Sequence, residues 1–137
     1  MIHPFDDPRV IAGQRTAALE LLEDYSDIEV IIVPVSGEGL LSGTSIAAKG
    51  VRPGITLYGP EPLIADDAAR SLRTRRLVVD IVGSTIANRL RATLSERTFR
   101  ILCTHLRDII TVTEEAIIGA TKEMWQRMNT NHQVPCR

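Results

Sequence analysis

The chain has 137 residues, 44% of them hydrophobic and 24% charged, with a net charge of −1. That length and composition give one ordinary domain with enough apolar material for a core, and the charge sets up no field that favours nucleic acid or an acidic membrane. No apolar run reaches the roughly 18–20 residues that a membrane span requires, and the opening Met-Ile-His-Pro-Phe-Asp-Asp lacks the basic and apolar regions of a signal peptide.

In chain order, Asp7 followed by Pro8 reads as the N-cap and first position of a helix. Val10, Ile11, Ala17, Ala18, Leu21 and Leu22 supply its apolar face as far as about Tyr25. Residues 29–35 form a β-branched run that suits a strand buried on both faces. Ser36-Gly-Glu-Gly39 follows, and then a helix from Leu40 to about Gly50, whose small residues Ser42, Gly43, Ala47 and Ala48 allow close packing on a sheet. Arg52-Pro-Gly54 is a turn, and Ile55 to Tyr58 a second short strand. A helix is expected from Ala65 to about Arg73, opened by Asp66 and Asp67, where the dipole favours acids. Arg73 to Arg76 is its solvated basic end. Leu77 to Val82 has the composition of a strand, and 85–94 fits no single pattern. Thr98 to Leu106 reads as a helix and Ile109 to Val112 as a third strand. Thr113 with Glu114 and Glu115 caps a helix running to about Met128. The tail, 129–137, has no periodicity.

Strands alternating with helices imply a parallel α/β sheet with right-handed crossovers. Ligands in such sheets bind at the carboxyl ends of the strands. The turn at Ser36, Gly37, Glu38 and Gly39 lies at such an end, where backbone N–H groups and a helix N-terminus point at an anion such as phosphate. Glu38 puts a negative charge where that phosphate would sit. A carboxylate within roughly 4 Å of it would cost several kcal/mol at an effective dielectric of about 20. His3, Asp6, Asp7 and His105 form no acid–base constellation, and a structural role is expected of them. His132 lies in the unpatterned tail. Cys103 and Cys136 show neither metal nor disulfide spacing, as expected for two unrelated thiols in a cytoplasmic protein. Only Lys49 and Lys122 could supply a lysine amine, against fourteen Arg.

Six segments, in order, resemble the fold-type II pyridoxal-phosphate enzymes, specifically the threonine/serine dehydratase and serine racemase group. They are His3-Pro-Phe-Asp-Asp-Pro8, Ile11-Ala-Gly-Gln14, Val33-Pro-Val-Ser-Gly-Glu-Gly-Leu-Leu-Ser-Gly43, Glu61-Pro-Leu-Ile-Ala-Asp-Asp-Ala68, Thr85-Ile-Ala87 and Ile110-Thr-Val-Thr-Glu-Glu115. The resemblance implies that residues 1–128 form a partial large domain of the tryptophan synthase β-like fold, a parallel sheet with flanking helices, and that 129–137 are an unmatched tail. It places the cofactor's phosphate at Ser36, Gly37, Glu38, Gly39 and Leu40. It also implies a Mg²⁺ or Ca²⁺ site at Glu61, Ala65 and Asp67, an oxygen-rich set suited to hard cations.

The family's lysine that bonds the cofactor lies in an N-terminal stretch with no counterpart here. Lys49 and Lys122 match other positions, so no catalytic residue is carried over. The family's four-glycine phosphate loop is Ser-Gly-Glu-Gly in this chain. Its Gly-Gln-Gly-Thr is Gly13-Gln-Arg-Thr16, its Ala-Asp-Gly-Leu is Ala87-Asn-Arg-Leu90, and its Leu-Thr-Phe-Pro is Arg97-Thr-Phe-Arg100. Arg in place of Gly is costly wherever positive φ or close packing is required. The expectation is a truncated threonine/serine ammonia-lyase-like chain, inactive alone. The alternatives are an oligomerising or partner-binding module, joined to a second copy or to a complementing N-terminal half, and a small divalent-cation-binding domain.

Overall fold

The computed structural model describes residues 3–79, 83–87, 90 and 92–128. Helix α1 spans Pro8–Asp24 and opens as expected: Asp7 is extended and accepts the Arg9 N–H at 2.9 Å. The Arg9 guanidinium also donates to Asp7, at 2.7 Å. That hydrogen bond is the main reason the Asp7 carboxyl falls to about 2. Only Ile11, Ala18 and Leu22 are buried in α1, a narrower stripe than its apolar residues suggested, with Ala17 and Leu21 exposed. Arg15, which replaces a family glycine, lies exposed on this helix, so the substitution meets no packing there.

Strand β1 is Val30–Ile32, and helix α2, Gly39–Val51, follows the turn. Small residues do for α2 what the sequence led us to expect: Ser42, Gly43, Thr44, Ser45, Ala47 and Ala48 are all buried. At Gly43 a Cβ would sit 2.6 Å from the Ile11 carbonyl oxygen, so glycine sets how closely α1 and α2 approach.

Strand β2 covers Thr56–Pro62, four residues longer at its end than expected, and β3 covers Asp108–Val112. The sheet is parallel in the order β1-β2-β3, with Ile31 opposite Leu57 and Gly59 opposite Ile109. The expected seven-residue β1 shortens to three for a chemical reason. Val33 and Val35 still donate to the carbonyls of Tyr58 and Pro60, at 3.1 and 3.0 Å, but Pro60 has no N–H to return. The expectation that this strand is buried on both faces is also corrected. Ile31, Val33 and Val35 are buried, while Val30, Ile32 and Pro34 are exposed.

A 3-10 turn at Leu63–Ala65 leads into α3, Asp67–Thr74; α4 is Glu96–His105 and α5 is Glu114–Met128. The strand expected over 77–82 does not form at 77–79, and 80–82 lie outside the described residues. Ser95 and Thr98 close a reciprocal capping box at the start of α4. Thr113 caps α5 by accepting the Ala116 N–H at 3.3 Å. The core lies on one face of the sheet. Ile31, Leu57 and Ile109 meet Leu22 of α1, Leu41 and Ala48 of α2, Ala68 and Ala69 of α3, and Leu102 of α4. Among the described residues no helix is long and apolar enough to cross a membrane.

The α1–α2 contact should respond sharply to a methyl group. Gly43→Ala forces a backbone oxygen to move and is expected to cost about 1–3 kcal/mol. Gly13→Ala, on the open side of α1 with nothing within 4 Å, should instead stabilise by about 1 kcal/mol. Urea unfolding of the two variants checks both signs.

Candidate functional site

Three connections gather at the carboxyl edge of the sheet: the turn after β1, the 3-10 segment after β2 and the start of α5 after β3. In the first, Gly37 (φ 53°) and Glu38 (φ 74°) are both left-handed. Gly37 is required twice over, because a Cβ there would also lie 2.5 Å from the Phe5 ring. The turn is pinned by the Gly37 N–H to the Ala92 carbonyl at 3.0 Å, by the Glu38 N–H to the Ser36 carbonyl, and by the Ser42 N–H to the Glu38 carbonyl at 2.9 Å. Gly39, Leu40 and Leu41 form the first turn of α2, whose N–H groups have no carbonyl partner within the helix. That donor set, at the positive end of a 13-residue helix, suits a phosphate group.

Glu38 does not point at that position. Its side chain turns inward and is 1% exposed, and neither carboxyl oxygen has a hydrogen-bond partner. The expectation of a charge sitting in the phosphate position is therefore corrected. Burial, followed by the nearby Glu61 carboxyl, holds Glu38 well above the usual carboxylate range. The Ser42 hydroxyl, one turn on, is buried and unpartnered as well.

Glu61, Ala65 and Asp67 are brought together at the end of β2, and all three are buried. Asp66 occupies the N-cap position of α3 without a side-chain capping bond, and Asp67 lies in the first turn. The Asp66 carboxylate instead bonds Arg70 at 2.8 Å. The cap comes from Glu61, whose two oxygens accept the N–H groups of Ala68 and Ala69 at 3.1 and 2.9 Å. Burial is the main cause that pushes Glu61 up to about 7, against the two N–H bonds that favour its charge. Among the described residues no group of three or more His, Cys, Asp or Glu is arranged to hold a metal ion. A cation here would use the Glu61 and Asp67 carboxylates with the Ala65 carbonyl.

The remaining candidates are structural where the geometry reaches them. His3 Nδ1 accepts the Asp6 N–H at 3.1 Å and its ring stands edge-on to Phe5. Asp6 accepts from Ser95 at 2.8 Å and pairs with Arg97 at 3.2 Å, which ties the Phe5 segment to α4. Arg97 and Arg100, two departures from the family pattern, thus both form ion pairs, the latter with Glu96. Asn88, Arg89, His132 and Cys136 lie outside the described residues, and Cys103 is a free thiol. One role escaped the sequence. Glu114, expected only as part of the N-cap signal of α5, accepts the Thr85 hydroxyl and the Ile86 N–H, both at 2.7 Å, and clamps that loop to the carboxyl edge.

Neither lysine reaches the turn. Lys49 donates to the Pro53 carbonyl at 3.0 Å and lines a cleft of about 310 Å³ with Thr56, Leu57 and His105, at the amino edge of the sheet. There burial, with help from Lys49, lowers the pKa of His105. Lys122 is exposed on α5.

Two buried carboxyls with raised pKa values fix the sign of the pH dependence. Each binds its proton more tightly when folded, so its contribution is complete below the ordinary value of 4.5 and is lost as pH rises through the folded value. The chain should be more stable at pH 5 than at pH 8. Glu61 accounts for a loss up to about pH 7, and Glu38 adds a loss of the same sign. Glu38→Gly removes an orphaned buried carboxyl and should raise stability at pH 8 by about 1–3 kcal/mol. Glu38→Gln should flatten the slope without that gain. Urea midpoints at the two pH values distinguish the variants.

A family model described as pyridoxal-phosphate dependent enzyme matches residues 1–131. The chain is 46% identical to a serine racemase of Dictyostelium discoideum over 130 residues, covering 93% of this chain and 40% of that protein. It is 34% identical to a beta-hydroxyaspartate dehydratase of Paracoccus denitrificans, covering 93% and 40%. The fold superposes on maize serine racemase with a TM-score of 0.93 at 37% identity, over 96% of this chain and 42% of that one. On a threonine deaminase from Solanum lycopersicum the TM-score is 0.91 at 29% identity, over 97% and 39%. The chain thus spans about two fifths of the length of these relatives. With the sequence, the parallel sheet and the glycine turn in agreement, the chain belongs to the family of pyridoxal-phosphate dependent enzymes.

Proposed function

We propose that this chain is the phosphate-holding part of a serine/threonine dehydratase- or serine racemase-like fold, and that by itself it does not turn over an amino acid. The observation that carries the reading is the position of the lysines. The phosphate turn lies at the carboxyl edge, whereas Lys49 lines a cleft at the amino edge and bonds the Pro53 carbonyl. Ten residues of α2 separate Lys49 from Gly39, about 15 Å of helix. Lys122 projects from α5 into solvent.

Pyridoxal phosphate supplies an electron sink for bond breaking at an amino-acid Cα. In this chain the first-turn N–H groups of α2 would hold its phosphate. Glu38, turned inward and buried, keeps its carboxyl away from that position. Phe5 packs against Gly37 and Gly39 and fixes the turn from one side. Among the described residues no amine is placed to bond the cofactor or to take a proton beside it.

The test is incubation of the purified chain with pyridoxal phosphate, borohydride reduction and peptide mapping, alongside an ammonia assay with serine and threonine. The expected outcome is no stoichiometric adduct at either lysine and no ammonia. A one-to-one adduct at Lys49 or Lys122, abolished by its replacement with Arg and accompanied by turnover, would overturn the reading.

A further inference from the structure

A second group of donors gathers at the opposite end of α2 from the glycine turn. The cleft of about 310 Å³ at the amino edge is lined by Lys49, Thr104, His105 and Arg107 among others, with no acidic side chain in its walls. That volume is at the small end of the range for ligand pockets. The walls are all internal to this chain. They come from the last turns of α2 and α4 and from the residues that open β2 and lead into β3, on the face of the sheet that carries the core.

The sheet itself brings Arg107 there. Its N–H donates to the Leu57 carbonyl at 2.9 Å, which continues the β2–β3 ladder by one residue. Alternation along an extended chain then puts Arg107 on the side of buried Ile109, and Asp108 on the other side. Lys49 has three N–H donors and spends one on the Pro53 carbonyl, at 3.0 Å. Among the described residues the His105 ring and the Arg107 guanidinium have no hydrogen-bond or ion-pair partner. By contrast Arg9, Arg70, Arg97, Arg100 and Arg127 each pair with a carboxylate.

The ends of α2 and α4 oppose these charges, because their free carbonyls carry about half a negative charge per helix. The N–H groups of Arg52 and Leu106 answer part of that by closing on the carbonyls of Ala48 and Leu102. What remains is at most about one negative charge, against the full positive charges of Lys49 and Arg107. The cleft therefore keeps a positive balance. Burial, with help from Lys49, lowers the pKa of His105. An anion in the cleft offsets the effect of Lys49 and raises it, which makes the ring a further charged donor.

We infer that this cleft is a second anion site, and that it takes a small phosphate monoester. A guanidinium fork, an ammonium and an imidazole suit a tetrahedral group with three accepting oxygens better than a carboxylate with two. About 15 Å of α2 separates Lys49 from the glycine turn, so the site does not depend on the turn holding a phosphate.

The experiment follows the full chain by NMR during titration with inorganic phosphate and with glycerol phosphate, chloride being adjusted to hold the ionic strength constant. The His105 ring signals should move and saturate as one site in the millimolar range, and His105 should titrate at a higher pH with phosphate present. Arg107→Gln and Lys49→Gln alter side chains that are exposed and half-buried, so each should keep its circular dichroism spectrum. Each should weaken the binding read at His105 by about tenfold. The Gly39 amide reports the glycine turn separately, and its response should be the same in the parent and both variants. Binding at His105 that is undiminished in both variants would overturn the proposal. So would His105 signals that stay fixed, whether or not the Gly39 amide responds. An equal response to acetate would overturn the assignment to phosphate.

Discussion

Parallel strands cannot be joined by tight turns, so every connection between them has to cross the sheet. Here the strand order is β1-β2-β3, and both crossovers step in the same direction. Crossovers of one hand that step the same way place their helices on the same side. α2 therefore shares a face with α3 and α4, and α1 packs on α2 from outside. Leu22, Leu41, Ala69, Leu102 and Ile109 join a single core as a result. The opposite side of the sheet receives no helix from these connections, and its Val30 and Ile32 stay in water. One topological constraint accounts for both the core and the uncovered face.

The same arrangement explains how the glycine turn after β1 tolerates a carboxyl. The turn needs left-handed backbone at Gly37 and Glu38, a conformation that costs a non-glycine residue about 1–2 kcal/mol. Once Glu38 adopts it, its side chain is directed inward among the ends of β1 and β2, beside Glu61. Burial is the main cause that raises both pKa values; repulsion from Glu61 adds to it at Glu38, and repulsion from Asp67 and Asp66 adds to it at Glu61. The acid is buried away from the first-turn N–H groups of α2, and the fold bears the cost as two orphaned oxygens.

Much of this was legible in the sequence, and the exceptions share a cause. Asp7 with Pro8, the small residues of α2 and Thr113 before α5 are local signals, and each appears in the structure where its chemistry put it. What could not be read locally involved partners far apart in the chain. A β-branched run says that residues 29–35 suit a strand, not that Pro60 on the next strand will withhold an N–H. Nor does it say which faces will be covered. Acids at 66 and 67 suggest a cap, whereas the cap is Glu61, which reaches α3 from the end of β2. Glu38 in a glycine turn reads as a charge facing the ligand. Its direction was set by a backbone angle that residue type alone does not reveal.

The high superposition with much longer relatives follows from where the packing is concentrated. The side chains that hold α1, α2, α3 and α4 to the sheet all point to one face. Close contacts such as Gly43 on the Ile11 carbonyl and Gly59 against Val35 and Leu41 lie within it. Backbone position is therefore decided by contacts internal to this chain, and covering the second face adds surface rather than direction. α5 differs because it makes no buried contact of its own. Its helicity rests on the Thr113 cap, on two acids in the first turn and on the Glu114 clamp to Thr85 and Ile86. Local signals of that size stabilise a helix by about 1 kcal/mol each. They fix where α5 begins, while its apolar stripe is left for whatever packs against it.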